Sequence, residues 1–159
     1  MYVLAAMALS LMAGRLALVW TQGSRARKLL ERAMAALEAE AYEDAEKNLR
    51  KVVKLAPIWM PARLYHAQTL YKLNRFKEAE TQFAMAAKLE PRNAEGHLHY
   101  GMFLAHALPE KRDEAIGCLE KAVSLDPHIR TKLAHAHLPE PLRGHDRVRA
   151  LLAPSRDAV

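Results

Sequence analysis

The chain has 159 residues, 51% of them hydrophobic, with 6 glycines, 6% aromatics and one cysteine. That supplies apolar material for one modest packed domain, the mixture favours helices, and a lone Cys118 excludes a small scaffold stapled by disulfides. The net charge of +6 splits into +4 over residues 1–28, +3 over residues 128–159 and −1 between them; a nucleic-acid-binding domain spreads its positive charge over the folded body instead, so basic ends suit a membrane surface or an acidic partner better.

The first predicted element is residues 1–20, a largely apolar stretch in which only Arg15 is charged. As a helix it would extend about 30 Å, one hydrocarbon thickness. Its leucines and valines favour insertion by about 2–4 kcal/mol together, and an arginine at the centre would oppose it by about 2.5–3.5 kcal/mol. Arg15 lies off centre, where its side chain can reach the interface, and Trp20 suits that interface. A membrane anchor is the expectation. A cleaved signal peptide ending near Thr21-Gln22-Gly23, without a basic n-region, and a helix packed within protein stay open as alternatives. Residues 21–25 form a basic linker. Arg25, Arg27, Lys28 and Arg32 come after the apolar stretch and no basic residue precedes it, so an anchored chain would hold its remainder in the cytoplasm; a cleaved one would be periplasmic.

Three segments then repeat. They run from Tyr42-Glu43-Asp44-Ala45 to Pro57, from Phe76-Lys77-Glu78-Ala79 to Pro91, and from Arg112-Asp113-Glu114-Ala115 to Pro127. The prolines and the alanines both recur at intervals of 34 and 36 residues. Each unit reads as a helical hairpin. Ala45, Ala79 and Ala115 let the second helix approach the first closely; Leu49, Phe83 and Leu119 come four residues on, and Val52, Ala86 and Ala122 three further, all on one face. Each proline closes its helix, lacking an N–H and disfavouring helical geometry before it. In the first helices, Ala67 and Gly101 take the small position, with Leu70 and Leu104 three residues later.

This pattern resembles the tetratricopeptide-repeat family over residues 26–130. The resemblance implies an all-α, right-handed α-solenoid of three hairpins, residues 26–59, 60–93 and 94–129, with a capping helix and basic tail over 130–159. It also implies a non-catalytic adaptor or scaffold for protein–protein interaction. With the apolar segment in front, the layout is similar to that of membrane-anchored bacterial assembly proteins with such repeats, although their paired-cysteine module is missing. A secreted assembly factor and an accessory subunit of a membrane enzyme complex are the other readings.

The sequence departs from the family pattern in places. The early aromatic of the first helix is replaced by Leu29, Arg63 and His97, and Arg32 stands where an apolar residue is usual. Two extra residues near His106–Glu110 predict a longer, less firmly pinned third turn. Beyond Pro127, residues 129–138 read as one helix stopped by Pro139 and Pro141, and residues 145–152 as another with Val148, Leu151 and Leu152 on one side.

The resemblance also directs attention to the inner face of the first helices. There the chain carries Leu30, Met34, Leu64, Gln68, Leu98 and Met102, with Tyr71 added and His106 near the rim. These do not form a lysine–asparagine clamp for a terminal carboxylate. They predict an apolar groove for a partner's apolar or amphipathic helix. The competing role for the leucines is to fill the core between hairpins. His97/His99 and His135/His137, spaced two apart, point in different directions on a helix, and no cluster completes a tetrahedral metal set. No glycine-rich phosphate loop occurs and Cys118 has no base at hand, so neither cofactor, metal nor catalytic residue is expected.

Overall fold

The computed structural model describes residues 23–153, and among them the regular structure is entirely helical. Residues 23–38 are helical (α1). Then come α2 (Tyr42–Leu55), α3 (Met60–Lys72), α4 (Phe76–Leu89), α5 (Ala94–Ala107), a 3-10 turn (Pro109–Lys111), α6 (Arg112–Leu125), α7 (Ile129–His135), α8 (Glu140–Arg143) and α9 (Asp146–Leu152). The helices α1/α2, α3/α4 and α5/α6 are the three hairpins.

The small residues act as the repeat demands. Ala33, Ala45, Ala67, Ala79 and Ala115 are fully buried. A Cβ added at Gly101 would lie 2.9 Å from Leu119 Cδ2 and 3.1 Å from the Ala115 carbonyl oxygen, so α5 and α6 touch where only glycine fits without a shift. Leu49, Leu70, Leu104 and Leu119 fill the space beside these contacts, and each such leucine stabilises the fold by about 1.5–3 kcal/mol relative to exposure.

The turns repeat as closely as the helices. Glu40 and Asn74 adopt left-handed φ values of 56° and 58°. In both turns the next N–H reaches back five residues, Ala41 to Ala36 O at 2.8 Å and Arg75 to Leu70 O at 2.9 Å. These are Schellman ends, which satisfy otherwise orphaned helix carbonyls. The third turn differs because of its two extra residues: Leu108 stays extended at φ −134° and leads into the 3-10 turn. The expectation of a loosely held turn is corrected here, since Lys111 is ion-paired with Glu80 on α4.

Between hairpins, the N–H of Ala56, Glu90 and Asp126 bonds back to Val52, Ala86 and Ala122, and the N–H of Trp59, Asn93 and Ile129 bonds to Ala56, Glu90 and Asp126. Asn93 adds a side-chain cap, accepting from the Glu95 N–H at 3.0 Å. The positions that lack the family's aromatic also act alike. Arg63 Nε donates to Pro57 O at 2.9 Å, and His97 Nε2 lies 3.0 Å from Pro91 O, each reaching the carbonyl six residues back. Leu133, fully buried, takes the same place after Pro127, so α7 is a short first helix in repeat register. Beyond it the single predicted helix ends earlier, at His135, and Pro141 sits inside the one-turn α8. Val148 of α9 is fully buried, and α9 packs on α6 and α7.

No helix among the described residues is long and apolar enough to cross a membrane. The expected membrane anchoring, and the cytoplasmic or periplasmic placement drawn from it, are corrected on that finding. Helices α2 to α6 have 13 or 14 residues, about 20 Å of rise against about 30 Å of hydrocarbon, and their outer faces are charged. The segment 1–20 on which the expectation rested lies outside the described residues.

Candidate functional site

The late turns of α3 and α5 lie side by side and leave a depression of about 150 Å³ between them. It is lined by Gln68, Tyr71, Phe83, His99, Met102, Phe103 and His106. Phe83 and Phe103 are 3% and 5% exposed and form the floor, with ring centroids 4.9 Å apart. Tyr71 leans on Phe103 edge to face at 5.9 Å and on Phe76 at 5.8 Å. Such aromatic pairs add about 0.5–1.5 kcal/mol beyond their area.

Of the eight residues expected on the inner face, the structure gathers Gln68, Tyr71, Met102 and His106 around this depression. Leu64 and Leu98 are each 8% exposed and belong to the core beneath it. Leu30 is half-buried against two small clusters around α1 and α2, and Met34 is half-buried on α1, apart from the depression. Sequence reasoning placed Phe83 in helix packing and passed over Phe103; both are almost fully buried and also line the depression.

The rim is basic or polar. His106 stacks on His137 from the segment after α7, centroids 6.4 Å apart and planes within 16°. His99 lies 3.8 Å from Glu95, which is also ion-paired with Lys132 of α7. Burial pushes the His99 imidazole below its ordinary range; Glu95 opposes that shift and Lys132 adds to it.

A second polar group lies between the first two hairpins. Glu46 and His66 are both buried and 3.5 Å apart, and Arg75 and Arg50 approach the same carboxylate at 3.4 and 3.8 Å. Arg75 also holds Glu78 through two bonds of 2.7 Å. Burial is the largest cause of the lowered His66 pKa, with Glu46 opposing it. Within this cluster Glu46 and His66 are buried, while Arg50, Arg75 and Glu78 reach solvent.

Reactive chemistry is not assembled at either place. The Cys118 thiol is pushed up to about 11, by burial first and then by Glu114, so it is a thiol rather than a nucleophilic thiolate at neutral pH. Among the described residues, no group of three or more His, Cys, Asp or Glu is gathered to hold a metal ion.

Residues 36–99 match the family profile described as Tetratricopeptide repeat. A curated protein, "Protein STIP1 homolog" of Dictyostelium discoideum, is 36% identical over 62 residues, 39% of this chain; the match spans only 11% of that protein's length. The first TPR domain of Spaghetti (RPAP3), solved bound to the HSP90 peptide SRMEEVD, superposes with a TM-score of 0.62 at 19% identity, covering 80% of this chain and 90% of that one. YrrB, described as a TPR protein with an unusual peptide-binding site, gives 0.58 at 24% identity, over 64% of this chain and 52% of that one. At those identities the superpositions speak for the fold alone, while the repeat register, the inter-hairpin turns and the profile match agree on the family. Residues 36–99 thus carry tetratricopeptide repeats, and over its described residues the chain is similar in register and fold to the tetratricopeptide-repeat family.

Proposed function

We propose that this chain is a non-catalytic adaptor that holds an apolar or amphipathic segment of another protein against the face of α3 and α5, and so helps assemble or stabilise a larger complex. The observation that carries the reading is the depression over Phe83 and Phe103: a solvent-open apolar floor with Tyr71 and Met102 at its sides and polar residues at its rim. A bulky side chain of a partner helix fits such a place, and central apolar pockets with aromatic walls are where binding energy concentrates. Two superposable proteins are described as binding peptides, which agrees with this use of the fold.

The test is a pull-down with the whole chain, comparing Met102→Lys with Lys47→Glu. Met102 is half-buried at the depression, whereas Lys47 is exposed on α2. Met102→Lys should lower recovery of the captured partner at least about tenfold, with an unchanged helical circular dichroism signal, while Lys47→Glu recovers it normally. Retention by Met102→Lys together with loss in Lys47→Glu would place the partner on the outer face and discard this reading.

A further inference from the structure

We propose that the imidazole rim of the depression selects a partner segment carrying a carboxylate within one helical turn of its bulky apolar anchor, and holds that segment more tightly in mildly acidic solution. The inference rests on the reading of the depression as the partner site. Its occupant is an acidic amphipathic helix, and the argument is charge complementarity.

Among the lining residues no side chain is acidic, and the titratable ones are Tyr71, His99 and His106. Any charge that the lining gains by taking up a proton is therefore positive. His106 and His137 are both exposed, and their rings stack near-parallel with centroids 6.4 Å apart, which places two imidazoles side by side at the rim. Histidine is the side chain that changes charge between about pH 5 and 8. A carboxylate seated across the two rings accepts a charge-assisted bond from each when they are protonated. Binding and proton uptake then favour one another, as linkage requires.

Two acidic side chains lie near the pair in sequence, Glu110 just after α5 and Glu140 at the start of α8; both are exposed and neither is ion-paired with His106 or His137. On α5, Glu95 is engaged with Lys132 and His99. After α5, Lys111 is engaged with Glu80 and lies 4.0 Å from Glu114. Lys72 ends α3 and His135 ends α7, both exposed and both of the same sign as the pair when charged. His99, kept neutral to lower pH by its burial, serves as a hydrogen-bonding wall rather than as part of the charge.

The experiment is selection of a displayed library of random peptides, about 16 residues each to allow a helix, on the full chain at about pH 5.5 and about pH 7.5. Peptides enriched at the lower pH should carry Asp or Glu within four positions of a bulky apolar residue. Their affinity should rise at least about fivefold between the two conditions. In the double variant His106→Gln, His137→Gln that gain should vanish, and His106→Lys should bind the same peptides tightly at both pH values. Enrichment of apolar residues without acids, or a gain that survives the double variant, overturns the inference and leaves the groove reading standing. No enrichment at either pH overturns both.

Discussion

The two seams between successive hairpins share a backbone plan and differ in what fills them. The seam joining the second and third hairpins, with the cap, is one continuous apolar core running from Met60 to Val148 and containing the Phe83–Phe103 pair. The seam joining the first hairpin to the second breaks into two small clusters, one around Ala26, Val52 and Ala62 and one around Ala33, Ala45 and Leu49, beside the buried Glu46–His66 contact. In a solenoid, stability is the sum of each repeat and its neighbour contacts. The first hairpin is thus held by short apolar patches and a buried polar contact, and the remainder by area.

The largest effect that can sharpen this contrast is at Leu104, fully buried in the continuous core. Leu104→Ala should cost about 2–5 kcal/mol, read from urea unfolding of the whole chain; a loss below about 1 kcal/mol would mean that the core is not continuous through α5. Next is the α5–α6 contact. Gly101→Ala should cost about 1–3 kcal/mol, because the added methyl meets both Leu119 and the Ala115 backbone. Gly117, on α6 with open space around it, is the control, and Gly117→Ala should stabilise by about 0.5–1 kcal/mol. Equal effects at the two glycines would refute the close approach.

A smaller effect separates the seams by pH. The folded His66 pKa is lowered from 6.5, chiefly by burial. The unfolded chain therefore binds the proton more readily, so the stability that neutral His66 contributes is complete above about pH 6.5 and is lost as pH falls from there toward the folded value. Hydrogen exchange of α1 and α2 should accelerate over that window relative to α5 and α6, and His66→Gln should remove the difference. Uniform acceleration in all hairpins would assign the acid sensitivity elsewhere. The smallest effect is at the surface: Arg147 holds Glu120 of α6 through bonds of 2.9 and 2.6 Å. Arg147→Ala should loosen exchange protection in α9 while the thermal midpoint stays where it is, and a falling midpoint would give the cap a larger share of the core than Val148 implies.

The sequence made the repeat register readable because it rests on residues whose constraint is local and periodic: an alanine or glycine at each closest approach, a proline two residues past each second helix. The same logic did not reach Arg63 and His97. Both stand where an aromatic was expected, and their role is a bond to a carbonyl across a turn, which depends on turn geometry and has no period of its own. The lining of the depression was legible in part. Gln68, Tyr71, Met102 and His106 share a face by helical spacing, but the depth at which a residue sits depends on its neighbours, so Leu64 and Leu98 lie beneath the surface while Phe83 and Phe103 reach it. The stacking of His137 on His106 depends on where the chain turns after α7, and no spacing rule gives that. The third turn shows the same limit: two extra residues signalled length, but the anchoring pair Lys111–Glu80 joins positions 31 residues apart.

The junction at Asp126–Ile129 reproduces the hydrogen bonds of the junctions at Ala56–Trp59 and Glu90–Asn93, and Ile129 and Leu133 are buried against the last hairpin. It is in effect a standard coupling, indifferent to whether a cap or another hairpin is attached beyond it. A further 34-residue unit spliced in at this point would meet a seat already shaped for its first helix, with α8 and α9 as the parts to be moved outward. Each unit added there would extend the face formed by the first helices by one equal step, which makes the repeat count a dial for reach that is separate from the chemistry of any one groove position.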